Sequence, residues 1–249
     1  MVDQKKEVAV PEQKIDVPAN IIGGGRRIEG MEETDSEDIR IPRIKLLQGS
    51  SDEIKNPDEY PDLRVGMVIN SLSHEELLKE GKLYPFIPVK MFKSWMKFNP
   101  YNTDDEGFNK DYKPGDLIFK TYDSADPFTK SENAWKYKQI NFLGFQPGAP
   151  LKPIFVAFGS MSRPTGASII NIVQLAGRPL WEHLFLLGSK SEERNGNTFQ
   201  VFTAKSEGKP ADGLISIGRK MYEEFNPLLV DMKRSNVSID ETLSEDVPF

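Results

Sequence analysis

Leu83-Tyr84-Pro85-Phe86-Ile87-Pro88-Val89-Lys90-Met91-Phe92-Lys93-Ser94-Trp95-Met96-Lys97-Phe98 is the stretch on which the fold turns. Aromatic and β-branched side chains dominate it, the composition that suits a pleated, half-buried surface. Pro85 and Pro88 remove two ladder donors, so the strand is expected to be bent or bulged. Runs of the same kind surround it. Upstream, 39–48 alternates Ile with basic residues, with Pro42 marking an edge or strand start, and 65–69 is a short apolar strand. Between them and the long strand, 73–81 reads as a small helix or a turn closed by Gly81. Downstream come 116–122, 135–145 and 153–160, then 181–187 and 198–205 around an Asn195-Gly196 hairpin signal.

Two helices are expected. The first covers 165–176, with Ser162 or Thr165 as N-cap and Gly177 just beyond its end. In the second, 214–233, Leu214, Ile217, Met221, Phe225 and Leu228 recur at helical spacing, while Pro227 should kink or divide it. Many short strands with few helices predict a mainly β fold with α additions. An OB-fold-like antiparallel barrel with a C-terminal helix (213–233) outside it is the most economical such arrangement, because its curved face is where single strands are usually bound. Residues 39–234 form this one domain. Residues 1–38 hold few large apolar side chains and a Gly23-Gly24-Gly25 run, and are expected to be a disordered acidic arm.

Charge is distributed unevenly. Of the total of −6, −5 lies in residues 1–38 and −4 in 240–249, which leaves +3 for the body between them. From Asn133 to Trp181 there is no Asp or Glu, while Lys136, Lys138, Lys152, Arg163 and Arg178 contribute +5. A second acid-free window, Gly81 to Thr103, adds Lys82, Lys90, Lys93 and Lys97. Such windows are the electrostatic footprint of a polyanion-binding surface.

Those cations are interleaved with aromatic residues, and a binder of single strands needs flat rings for stacking and cations for phosphates. The candidate DNA-binding residues are therefore Lys90, Lys93, Trp95, Lys97, Phe98, Trp135, Lys136, Tyr137, Lys138 and Arg163. Trp135, beside Lys136, and Tyr137, between Lys136 and Lys138, read as surface stacking residues, whereas Trp95 stands evenly between surface and core. Phe86, Phe92, Phe142, Phe155 and Phe158 are expected in the core.

Enzymatic chemistry has little to rest on. The chain has no Cys and only His74 and His183, which excludes thiolate nucleophiles, disulfides and Cys-type zinc sites. Asp104-Asp105-Glu106 and Asp111 are the only carboxylates that suggest a magnesium nuclease, and they lie in a polar loop without a Lys or His partner at defined spacing. No phosphate-cradling Gly-Lys-Ser/Thr motif occurs, and Gly23-Gly24-Gly25 has neither the preceding strand nor the following helix of a nucleotide fingerprint. The expectation is a non-enzyme with no cofactor and no metal. No apolar run approaches the roughly 20 residues that span a bilayer, and the start lacks a secretion signal, so a cytoplasmic setting without membrane contact is expected.

The chain closes on Asp240-Glu241-Thr242-Leu243-Ser244-Glu245-Asp246-Val247-Pro248-Phe249. Pro248 pre-sets the backbone, Phe249 offers a large apolar anchor, and the terminal carboxylate suits an Arg or Lys clamp. The tip Asp246-Val247-Pro248-Phe249 after an acidic tail resembles the C-terminus of bacterial single-stranded DNA-binding proteins and their phage counterparts. The Ile41-Pro42-Arg43-Ile44-Lys45-Leu46-Leu47-Gln48 opening and the basic-aromatic strands resemble the phage proteins more loosely. The resemblance implies sequence-nonspecific single-stranded DNA binding in replication or recombination, in the host cytoplasm for a phage protein. It also implies recruitment of replication or recombination proteins through residues 235–249. The linker before the tip is short, unlike the long Gly/Gln-rich linkers of the bacterial members, so their tetramer and wrapping modes are not carried over. The alternative is a replication-associated adaptor whose body binds protein and no nucleic acid.

Overall fold

The computed structural model describes residues 41–78, 82–105, 107–194 and 196–235, and only the backbone for 227–235. The acidic arm 1–38, the tail from 236 onward, and Gly81, Glu106 and Asn195 lie outside the described residues. Among the described residues, eight strands form one sheet: β1 (Arg43–Leu46), β2 (Val68–Asn70), β3 (Tyr84–Phe98), β4 (Leu117–Thr121), β5 (Lys138–Gln146), β6 (Ala149–Phe158), β7 (Leu184–Arg194) and β8 (Asn197–Gly208). Helices α1 (Asp52–Lys55), α2 (Arg163–Ala176) and α3 (Asp212–Ser235) complete the fold. The mainly β class with α additions is thus the observed one.

The fifteen-residue β3 organises the sheet. Its first residues pair with β7, its middle with β5, and its last with β4. The expected bulge is present: the register with β5 shifts between Pro88 and Lys90, where Pro88 has no N–H to offer. Gly144 sits opposite Pro88, and a Cβ there would lie 2.2 Å from the Ile87 carbonyl oxygen, so only glycine lets the two chains approach.

Each face of the sheet buries its own core. On one, Phe86, Phe142, Val156, Phe158, Phe185 and Leu187 pack with Ile169 of α2. On the other, Ile87, Val89, Leu143, Phe145 and Phe155 pack with Leu214, Ile217, Met221 and Phe225 of α3, the predicted helical stripe. Phe86, Phe92, Phe142, Phe155 and Phe158 are all buried, as their sequence context suggested.

Several local expectations are corrected. The path β2-β1-β6-β5-β3-β7-β8 is open and the β1–β6 pair is parallel, so the barrel does not close by a strand ladder. Side chains bind the open edge of β8. β1 ends at Leu46 and the chain turns at Gly49, and among the described residues no strand ladder pairs the outer edge of β8. Instead the Gln48 amide donates to the Gln200 carbonyl (2.8 Å) and accepts from the Gln200 N–H (3.0 Å). Two residues on, the Phe202 N–H donates to the Ser162 hydroxyl (3.0 Å) and its carbonyl accepts from Thr165 Oγ1 (2.7 Å). Ser162 holds the N-cap position of α2, yet neither hydroxyl caps the helix, because both are committed to this edge. Gly177 does end α2 as expected, in the left-handed region at φ 60°.

Residues 134–137 form a 3₁₀ turn and not the start of a strand, which begins at Lys138. Residues 71–78 form turns and one bridge between Ile69 and Glu76, not a helix. The hairpin is longer than predicted, and α3 runs through Pro227 without being divided.

Candidate nucleic-acid interface

The strand register distributes the predicted residues between the two faces. Met91, Lys93, Trp95 and Lys97 alternate onto the α2 side, and cross-strand pairing sets Lys138 directly opposite Trp95. Lys90, Phe92, Ser94 and Met96 point to the other side. There the Lys90 ammonium donates to Asn226 Oδ1 (2.7 Å) and lies 4.9 Å from the Tyr222 ring centre. Phe98 belongs to the core beneath α3. Lys90 and Phe98 therefore leave the candidate site, since one is engaged by α3 and the other has no exposed ring face.

Trp95 is also corrected. It is paired on both edges, to Thr121 of β4 and Lys138 of β5, and the Lys138 ammonium lies 5.9 Å from its ring centre. At 6% exposure it presents no face to a base. Its ring instead supports Lys138 from below.

Trp135 is the opposite case, with 57% of its surface exposed. The 3₁₀ turn Ala134–Tyr137 anchors through buried Ala134 and leaves Trp135 and Lys136 outside. Arg163, the first residue of α2, lies 5.4 Å from the Trp135 ring centre and donates from Nη1 to the Trp135 carbonyl. One guanidinium thereby fixes the turn and its ring.

Three cations converge here: Lys93 from β3, Lys138 from β5 and Arg163 from α2. Partial burial pushes the Lys138 amine below the ordinary lysine range, and the neighbouring charges of Lys93 and Arg163 push it further. Like charges held together repel, and a phosphate between them would relieve that repulsion. Tyr137 extends the patch through an aromatic row, with Phe128 5.7 Å from it and Phe119 4.4 Å beyond. Lys97 is the cross-strand partner of Phe119, which brings it to the same row.

Phe128 and Phe119 were not singled out from the sequence. The available signal was Asp126-Pro127: the Asp126 side chain accepts from the Phe128 N–H (2.8 Å) and Pro127 starts a 3₁₀ turn that projects Phe128. The carboxylates Asp104 and Asp105 are exposed, and Asp105 accepts from the Gly107 N–H (2.8 Å) within its own turn. That loop hangs on buried Asn99, whose amide donates to the carbonyls of Asn109, Tyr112 and Lys113. Among the described residues, no group of three or more His, Asp or Glu is placed to hold a metal ion. No helix among them is long and apolar enough to cross a membrane.

No curated protein and no solved structure matches the chain. The sequence model of the Pam3 phage gp34-like protein family matches residues 12–234, which covers the sheet, α1, α2 and all of α3 but its last residue. The chain belongs to this phage protein family.

Proposed function

We propose that the protein binds single-stranded DNA without a strict sequence requirement, performs no chemistry of its own, and recruits replication or recombination proteins through its acidic C-terminus. The observation that carries this reading is the grouping of Lys93 and Arg163 about Lys138, with Arg163 also touching exposed Trp135. Cations alone suit any polyanion. A ring held open among them suits unstacked bases, because every base has a π-face and a duplex hides it. Membership in a phage family is consistent with a role on phage DNA.

The test is fluorescence anisotropy of an unstructured oligonucleotide against its duplex, over a salt series. The single strand is expected to bind more tightly, with log affinity falling linearly in log salt at about −0.7 per phosphate neutralised. Equal affinity for the two forms, or insensitivity to salt, would overturn the reading and favour the protein adaptor.

A further inference from the structure

A cavity of mixed polar and apolar lining lies beside the 3₁₀ turn Ser160–Ser162. That turn lines it, together with Gln139, Lys45, Gln48 and Gln200. The next residue along is Arg163, which covers Trp135, so cavity and stacking ring flank one short turn. Most polar groups in its wall are already used. The Lys45 ammonium is paired with Glu53 at 2.8 Å, the Gln48 amide is locked to Gln200, and the Ser162 hydroxyl accepts from Phe202.

Gln139 is not. It is 6% exposed, and its Oε1 is shut off from solvent with no hydrogen-bond partner. Leaving such an amide oxygen unpaired costs on the order of 1–3 kcal/mol, and a leucine would fill the same volume without that penalty. Beside it Ser160 is held at φ +41°, a conformation that non-glycine residues adopt at a cost and that gathers at ligand sites. An unpaired amide and a strained serine at one cavity indicate a wall built for a polar guest.

Resting on the single-strand reading above, we infer that this cavity accepts one base of the bound strand, the nucleotide next to the one stacked on Trp135. Its polar edge completes the hydrogen bonds of the Gln139 amide. Lys45 is paired with Glu53, and Arg43 also lines the wall, so a cation stands beside the amides of Gln48, Gln139 and Gln200 and the Ser160 and Ser162 hydroxyls, a mixture of donors and acceptors that the edge of a base can use. The protein therefore reads base identity at one position while tolerating any sequence elsewhere.

The experiment compares dA, dC and dT homopolymers of equal length by anisotropy, using the full-length protein and the variants Gln139→Leu and Gln139→Glu. The wild type should separate the best homopolymer from the worst by about fivefold to tenfold, the equivalent of one net hydrogen bond. Gln139→Leu should compress that spread below about twofold and raise the thermal midpoint, since it removes an unsatisfied group. Gln139→Glu keeps the shape but removes the amide donor, and should alter the order of preference, so the test survives if the Leu variant folds poorly. Uniform wild-type affinities, or a preference that survives in both variants, would overturn the base cavity alone. Failure of every homopolymer to bind would overturn the single-strand reading itself.

Discussion

Trp95 and Trp135 have nearly the same sequence surroundings, a lysine adjacent or two residues away, and opposite fates. Trp95 lies mid-sheet with a strand on either side, whereas Trp135 precedes β5 on a turn where Arg163 touches its ring and more than half of its surface stays exposed. Spacing to lysine could not separate them, because burial depends on which strands become neighbours. Trp135→Ala should weaken oligonucleotide binding by ~1–3 kcal/mol and shift stability by less than ~0.5 kcal/mol. Trp95→Ala should cost about 3–5 kcal/mol of stability, and thermal melts beside anisotropy would separate the two. Lys138 adds a pH signature. Its amine is lowered from 10.5 in the folded protein, so between the folded value and 10.5 the unfolded chain binds more protons and stability rises with pH. Single-strand affinity should move the other way, declining as pH climbs through the folded value and the ammonium is lost. Lys138→Gln should abolish both trends, as melts and titrations at pH 7 and pH 10 would report. His183 behaves similarly at lower pH. It is buried, its Nε2 lacks a partner, and burial and the Arg178 charge hold its pKa below 6.5. Below pH 6.5 the unfolded chain takes up the proton first, so stability should fall as the pH drops towards the folded value. His183→Leu should flatten that part of the profile.

The elements with a strong period were legible: the hairpin, the apolar stripe of α3 and the bulged β3 all follow from alternation, helical spacing and proline. The seam between β1 and β8 was not. It depends on Gln48, Ser162 and Thr165, polar residues whose partners on β8 lie 152, 40 and 37 positions away in the chain. A cap and a strand-edge mimic draw on the same residue types, and only the tertiary arrangement decided that β8 needed Ser162 more than α2 did. Open sheet edges invite pairing with other chains, and here side chains occupy the edge in place of a strand. Gln48→Ala would leave the Gln200 N–H and carbonyl without these partners, at an expected loss of about 1–3 kcal/mol. Amide hydrogen exchange should register this locally: Gln200 should lose protection while the β3–β5 ladder keeps it. Equal protection of Gln200 in both proteins would mean that the seam contributes nothing to closure.

Charge is segregated along the full chain. The body between residues 39 and 239 carries +3 in a protein of −6, and the last ten residues carry −4. On the proposed reading, a terminus of that charge tethered to a surface bearing Lys93, Lys138 and Arg163 would compete with phosphates for the same cations. Deleting residues 240–249 should therefore tighten single-strand binding at low salt. The difference should vanish as salt shortens the Debye length from about 30 Å at 0.01 M to about 8 Å at 0.15 M. The same deletion should abolish capture of replication proteins, and Phe249→Ala alone should reproduce that loss, because Phe249 is the large apolar anchor at the tip and interfaces concentrate their energy in such anchors. The single substitution leaves every charge in place, so it should not change DNA affinity at any salt concentration. Anisotropy and pull-down on the two variants thus separate the electrostatic role of the tail from its docking role. Weaker DNA binding after the deletion would mean that the acidic end supports the bound state, and retention of every partner by Phe249→Ala would remove the tip as the docking element.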